Sequence, residues 1–209
     1  MISTKTTEVT QLIKGPAGKL ELAVSEPTEG ERSAWGIVCH PHPLHGGTMN
    51  NKVVTTLAKT FQGLGLNTVR FNFRGVAKSE GVYDEGAGEL NDLLAVVDWV
   101  RQTSKQQEIW LAGFSFGAYI AASATPIIDA KRLVTVAPAV QHFPMETLPP
   151  ILCKWVLVQG ERDDVVPPDL VFKWAETRDP KPLIIRFPEA GHFFHGQLSE
   201  LRARIAESL

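Results

Sequence analysis

Gly113-Phe114-Ser115-Phe116-Gly117 is the stretch on which the reading of this chain turns. An apolar run, Ile109-Trp110-Leu111-Ala112, leads into it, and a run of small and apolar residues, Ala118-Tyr119-Ile120-Ala121-Ala122, leads out. The first run has the composition of a buried strand and the second that of a helix. A chain passing from one to the other through G-x-S-x-G must turn sharply, which leaves Ser115 on a strained tip with its hydroxyl exposed. Glycines suit the flanks of such a turn, because a Cβ there would strike the neighbouring strand or helix. The pentapeptide is also a pattern that occurs by chance. Serine is a good N-cap, so the competing reading is a serine that only caps a helix. The strand–turn–helix setting favours the exposed nucleophile of a serine hydrolase.

Working outward, strand and helix patterns alternate almost to the end. Extended segments around Val9–Ile13 and Leu20–Ser25, split by Gly15-Pro16-Ala17-Gly18, predict a hairpin. Ala34–Cys39 reads as a short buried strand. Apolar residues at 53, 54, 57, 58, 61 and 64 have helical spacing, and Gly65 is placed to stop that helix. Thr68–Phe73 is a strand, and Leu90, Leu93, Leu94, Val97 and Val100 form the stripe of a second helix. After the serine turn, Leu133–Ala137 and Trp155–Gln159 are strands. Pro167-Pro168-Asp169 opens a helix, with proline in its first turn and a carboxylate at its positive end. Leu183–Phe187 is the last strand, and Leu198, Leu201 and Ile205 mark a terminal helix. This alternation predicts an α/β fold: a mostly parallel sheet with helices on both faces and antiparallel strands at the N-terminal edge.

The 209 residues fit one domain, 1–209, whose core needs no staples, since a chain of this size buries roughly 70% of its unfolded surface. Net charge is −2 and no basic run occurs, which argues against nucleic acid and anionic membranes as partners. Met1-Ile2-Ser3-Thr4-Lys5 lacks an apolar signal core, and no apolar stretch approaches membrane-spanning length. Cys39 and Cys153 are far apart and lie in or beside strand patterns, so they read as reduced thiols of a cytoplasmic protein. The composition sets no oligomeric state.

A serine hydroxyl is a poor nucleophile at neutral pH and needs a base and a group to hold that base. Two downstream segments supply them. Gly160-Glu161-Arg162-Asp163-Asp164-Val165-Val166-Pro167 follows one strand, and Ala190-Gly191-His192-Phe193-Phe194-His195-Gly196 follows the last. In a parallel sheet all C-terminal strand ends share a rim, so Ser115, one of the two aspartates and one of the two histidines should converge there. His192 immediately follows a glycine after the strand, where a base can lean over the serine. The base should make activity rise with pH through roughly 6 to 7. An oxyanion hole needs two N–H donors. One is expected from Phe116, the residue after the serine. The other is expected from the loop after Ala34–Cys39. Pro41 and Pro43 have no N–H, so His42 or Leu44 must give it, and His42 is preferred.

Ser115, the Asp163 segment and the His192 segment, in that order, resemble an α/β-hydrolase over nearly the whole chain. The His40-Pro41-His42-Pro43 stretch, the Asn72-Phe73-Arg74-Gly75-Val76-Ala77-Lys78-Ser79 loop and the His192–Gly196 ending resemble a small, lidless, mostly bacterial subgroup related to dienelactone hydrolases. The resemblance implies an α/β-hydrolase fold without a lid domain and carboxylester hydrolysis. It implies Asp163 as the acid and His192 as the base; His195, the rival base, then reads as support for the loop. It implies no cofactor. Ser115 stands where dienelactone hydrolases proper carry cysteine, so their particular activity is not implied. Ala77 stands where related loops carry glycine.

Two other function classes compete. His40-Pro41-His42-Pro43-Leu44-His45 resembles a zinc-binding histidine motif, which would make the protein a metallohydrolase using His40, His42 and His45. Leu44 occupies that motif's aspartate position and no downstream ligand set follows, so no metal is expected. A non-catalytic binding protein on the same fold is the other class. The short connection from Leu133–Ala137 to Trp155–Gln159 predicts an open, shallow site for a small acyl substrate. His142 and Phe143 could line it, as could Tyr83. Arg74 reads as a tie between loops.

Overall fold

The computed structural model describes residues 8–28, 30, 32–104 and 108–209. The expectation for Met1–Lys5 lies outside these residues. Among the described residues, eight strands form one sheet: β1 (Glu8–Gly15), β2 (Gly18–Ser25), β3 (Ala34–Cys39), β4 (Asn67–Phe71), β5 (Glu108–Phe114), β6 (Arg132–Val136), β7 (Lys154–Gly160) and β8 (Leu183–Phe187). Among the described residues, five α-helices connect or follow them: α1 (Lys52–Gly63), α2 (Ala87–Thr103), α3 (Phe116–Ile128), α4 (Pro168–Glu176) and α5 (Leu198–Ser208). The strand order is β1-β2-β4-β3-β5-β6-β7-β8. β1 and β2 form the expected hairpin, β2 pairs antiparallel with β4, and every pair from β4 to β8 is parallel.

Alternate residues of the central strands feed two separate cores. On β5, Ile109 and Leu111 join one cluster, while Trp110, Ala112 and Phe114 join the other. On β7, Trp155 and Leu157 divide from Val156 and Val158 in the same way. Side chains alternate across a strand, so a strand buried on both faces must be apolar nearly throughout. α2, α3 and α4 supply Leu93, Ile120 and Val171 to the first cluster, and α1 and α5 supply Leu57 and Leu201 to the second.

The end of α1 shows how local sequence fixes the chain path. Gly65 has φ +88°, a region other residues enter at a cost. Its N–H donates to Gln62 O at 3.1 Å, and the Leu66 N–H reaches Phe61 O at 3.0 Å. This double closure satisfies the last carbonyls of the helix, and Leu66 and Phe61 are both buried in the α1–α5 core.

Two strands end earlier than their apolar patterns predict. Thr68–Phe73 is observed as Asn67–Phe71, and Leu133–Ala137 as Arg132–Val136. In the first, the Asn72 N–H still donates to Glu21 O on β2, whereas the Phe73 N–H leaves the ladder for His40 Nε2 in the loop after β3. In the second, Ala137 turns to φ 45°. Between β6 and β7 the chain makes only a short 3-10 turn, Met145–Thr147, and no lid covers the rim. The C-terminal ends of β3, β5, β6, β7 and β8 therefore open on one uncovered edge. Among the described residues, no helix is long and apolar enough to cross a membrane.

Candidate active site

Ser115 stands between β5 and α3 at φ 55° and ψ −115°, a backbone conformation that is strained for any residue with a Cβ. Its own N–H donates to Val136 O on β6 at 2.9 Å, which anchors the turn to the neighbouring strand. A Cβ on Gly113 would land on the Gly117 carbonyl, and one on Gly117 would land on the carbonyls of Cys39 and His40. The glycines therefore let α3 press against both its own strand and the loop after β3. The Ser115 side chain makes no capping hydrogen bond to α3, so the reading of Ser115 as a simple helix cap does not hold.

Asp163 and His192 meet on the same rim. His192 Nδ1 donates to Asp163 Oδ2 at 2.8 Å, with both side chains buried. Asp163 Oδ1 accepts from the N–H groups of Val165 at 2.9 Å and Val166 at 2.7 Å, and Gln159 Nε2 reaches Oδ2 at 3.2 Å. Burial works against ionisation of this carboxyl. The hydrogen bonds from His192 and Val166, the charge of His192 and the Val165 amide together outweigh it and hold the pKa below the usual carboxylate value. Asp164 and His195, the neighbours weighed against this pair, are exposed. The His192 ring lies against Phe114, the residue before Ser115, with centroids 4.8 Å apart. Among the described residues, no hydrogen bond joins the Ser115 hydroxyl to His192; that contact commonly tightens only when substrate is bound.

The loop after β3 supplies the other half of the site. The Leu44 N–H is committed to His42 Nδ1 at 3.2 Å, which leaves His42 as the better-placed amide of the two considered. The His42 and Phe116 rings lie 5.3 Å apart, and a Cβ on Gly117 would fall 2.5 Å from His40 O, so the backbone of this loop runs beside the start of α3. Phe116 is the first residue of α3, where N–H groups have no acceptor within the helix and the helix dipole favours negative charge.

His40 holds this loop down. Its ring is fully buried, with Nε2 accepting from the Phe73 N–H at 3.0 Å and Nδ1 donating to Pro41 O at 2.6 Å. Burial, with a smaller contribution from His42 and against the hydrogen bond to Pro41, lowers its pKa to about 4, so the ring is neutral at physiological pH. Both ring nitrogens are occupied by the backbone, which removes His40 from a zinc set with His42 and His45. Among the described residues, no group of three His, Cys, Asp or Glu side chains is placed to hold a metal ion. Asn72 clamps the other end of the loop, with Oδ1 accepting from Met49 N at 2.8 Å and Nδ2 donating to Glu21 Oε2 at 2.9 Å.

A cleft of about 500 Å³ opens beside Ser115. His142, Phe143 and Tyr83 all line it. Arg74 is a tie rather than a substrate contact. Its Nη2 donates to Asp92 Oδ1 at 2.8 Å on α2, which pins the loop that carries Tyr83. Ala77, in that same loop, has φ 49°, the left-handed geometry that explains why glycine is at home there.

Sequence reasoning missed Gln159, which it read only as the end of a strand. Its signal was a polar residue in a buried strand just before the acid loop. It also did not assign His40 and Asn72 to the loop they hold. Their partners come from distant segments, and no spacing rule links them.

Comparison with known proteins bears on the family. The profile of the family described as serine aminopeptidase, S33 matches residues 42–167. A serine hydrolase homologue from Coxiella burnetii superposes with a TM-score of 0.94 at 49% identity, covering 99% of this chain and 100% of that one. A lidless serine hydrolase from Xanthomonas campestris, XC6422, gives a TM-score of 0.92 at 38% identity, covering 100% of this chain and 95% of that one. An uncharacterized protein of Rickettsia prowazekii, RP471, is 36% identical in an alignment of 169 residues that covers 74% of this chain and 67% of that protein. The relation to dienelactone hydrolases is not among these likenesses, whereas the lidless architecture is. The chain belongs to the α/β serine hydrolases, within the serine aminopeptidase S33 family.

Proposed function

We propose that the protein hydrolyses small carboxylic esters through an acyl-enzyme, with Ser115, His192 and Asp163 as the triad. The observation that carries this reading is the buried Asp163–His192 hydrogen bond beside a strained serine turn. In the first step Ser115 Oγ bonds to the acyl carbon, and its proton passes to His192 Nε2. The carbonyl electrons collect on an oxyanion held by the Phe116 and His42 amides. As the carbonyl re-forms, the bond to the leaving alkoxide breaks and His192 returns the proton to it. Water then adds to the acyl carbon with His192 as base, and the acid leaves with Ser115 restored. Asp163 stays ionised throughout and keeps the His192 proton on Nδ1.

The test pairs a fluorophosphonate probe with a series of p-nitrophenyl esters, for the wild type and for Ser115→Ala. Wild type should be labelled at Ser115, and the variant should lose at least ~10⁴-fold in kcat. Turnover retained in Ser115→Ala would remove the serine as nucleophile. Failure of the wild type both to label and to turn over any ester would favour a binding protein.

A second reading, supported by one residue, is aminopeptidase activity of the kind the family description names. Glu85 is the carboxylate among the residues lining the cleft, and it could receive a peptide's N-terminal ammonium. Aminoacyl p-nitroanilides with free and acetylated amines separate the readings, since only the first would need the free amine.

A further inference from the structure

The cleft has a built asymmetry that the hydrolytic chemistry does not require. It is lined by Ser115 and by residues of the loops after β3, β4, β6 and β7, whereas His192 and Phe193 are not part of its wall. His192 must hand its proton to the leaving group, so the leaving group has to stand on the His192 side. The cleft, which reaches Val165 and Val166 of the acid loop but is walled by neither His192 nor Phe193, is therefore the room left for the acyl portion.

Its wall is aromatic and continuous. The Phe116 ring lies 5.0 Å from Phe143, 5.3 Å from His42 and 6.0 Å from Tyr83. His42 lies 4.9 Å from Tyr83, and Tyr119 stacks on the outer side of Phe143 at 5.0 Å and 14°. Tyr83, His42 and Phe143 are half-buried, each with part of its surface still open. The inclinations differ, from 35° between His42 and Phe143 to 60° between Tyr83 and Phe116, so the rings of the wall do not share one plane. Burial first, then the neighbouring His45 and His142, lowers the His42 pKa, so this ring is the neutral imidazole at neutral pH. An aliphatic chain gains only area from such a wall. A planar ring also gains edge-to-face and offset contacts with several partners at once, beyond its buried area.

We infer that the acyl pocket selects aromatic acyl groups, of benzoyl to cinnamoyl size, over saturated ones of equal bulk. The inference rests on the esterase reading above and names its substrate class. The volume of about 500 Å³ accommodates such a group with room to spare. The absence of a lid leaves the leaving-group side open, so the selectivity resides in the acyl half.

The experiment uses the whole protein and four p-nitrophenyl esters: acetate, hexanoate, cyclohexanecarboxylate and benzoate. Each kcat/KM is divided by the ester's rate of hydrolysis by hydroxide, which removes intrinsic reactivity. The corrected benzoate value should exceed that for cyclohexanecarboxylate by about tenfold, the size of one or two aromatic contacts. Phe143→Leu and Tyr83→Leu keep apolar bulk and remove a ring, and each should pull that ratio towards one. Circular dichroism of both variants checks that they fold. If acetate and hexanoate are hydrolysed while benzoate shows no advantage, the aromatic selectivity is wrong and the esterase reading stands. A benzoate advantage that survives both substitutions also overturns the aromatic wall as its cause. If no ester is hydrolysed and Ser115 is not labelled, both readings fall together.

Discussion

The two sides of Ser115 are built on opposite plans. On the His192 side every polar contact of the acid is spent: Asp163 receives two amides, one side-chain amide and one imidazole. On the cleft side the reactive elements are held open. The Phe116 amide faces no helical acceptor, the Tyr83, His42 and Phe143 rings keep exposed surface, and strained backbone accumulates at Ala77, Glu85, Ser115 and Ala137. The His192 side has one comparable residue, Phe194 at φ 51°. Under the proposed mechanism the contrast has a physical reason: orienting a base calls for saturation of hydrogen bonds, whereas receiving a substrate calls for donors left unsatisfied until it arrives.

The sharpest way to break this contrast is Asp163→Asn. It keeps the volume of the acid and removes its charge, so His192 can adopt the wrong tautomer, and kcat should fall by roughly 10⁴-fold with the fold intact. Steady-state kinetics beside a circular dichroism spectrum check it, and a loss under tenfold would mean the acid side matters far less than its saturation suggests.

The next effect is on stability and comes from the cleft side. His40 has its folded pKa lowered to about 4 against an ordinary value near 6.5. The unfolded chain therefore binds the extra proton in that interval, and stability falls as pH drops from about 6.5 to about 4, by about 3 kcal/mol in total. Asp163, whose pKa is also lowered, adds a further loss only below the ordinary carboxylate value. Urea unfolding at pH 7 and pH 4.5 should show the difference, and His40→Asn should shrink it while lowering stability at pH 7. An unchanged pH dependence in that variant would place the acid sensitivity elsewhere.

Gln159→Leu probes the saturated side more gently. It removes one donor to a charged acceptor, an interaction of about 1.5–3 kcal/mol, so kcat should drop by roughly ten- to a hundredfold. The pH profile of kcat separates positioning from a packing defect, since weaker support of Asp163 must shift the acid limb upward, whereas a packing loss would lower the whole profile evenly. The smallest effect belongs to Ala77→Gly. Its φ of 49° suits glycine, so relief of strain, partly offset by unfolded-state entropy, should raise stability by up to about 1 kcal/mol. A thermal melt reads this directly, and a lowered midpoint would show that the loop does not feel its strain.

Much of this was legible from the linear chain, because local rules governed it. The alternation of buried strands and amphipathic helices reflects side-chain periods of two and 3.6, which set the sheet and its two coats. The serine turn was legible because Gly113 and Gly117 are needed wherever backbone approaches backbone. Asp163 and His192 could be placed on a common rim, because parallel strands all end on one edge. What the sequence left open was each choice between neighbours: Asp163 or Asp164, His192 or His195, the amide of His42 or of Leu44. Those alternatives have the same chemistry one to three residues apart, and only packing decides which is buried against a partner. Tertiary structure alone made Gln159 a support of the acid, joined His40 to Phe73 and Asn72 to Met49, and gathered Tyr83, Phe116 and Phe143 into one wall. Contacts between segments so far apart are set by how strands and loops converge, and no periodicity along the chain encodes that convergence.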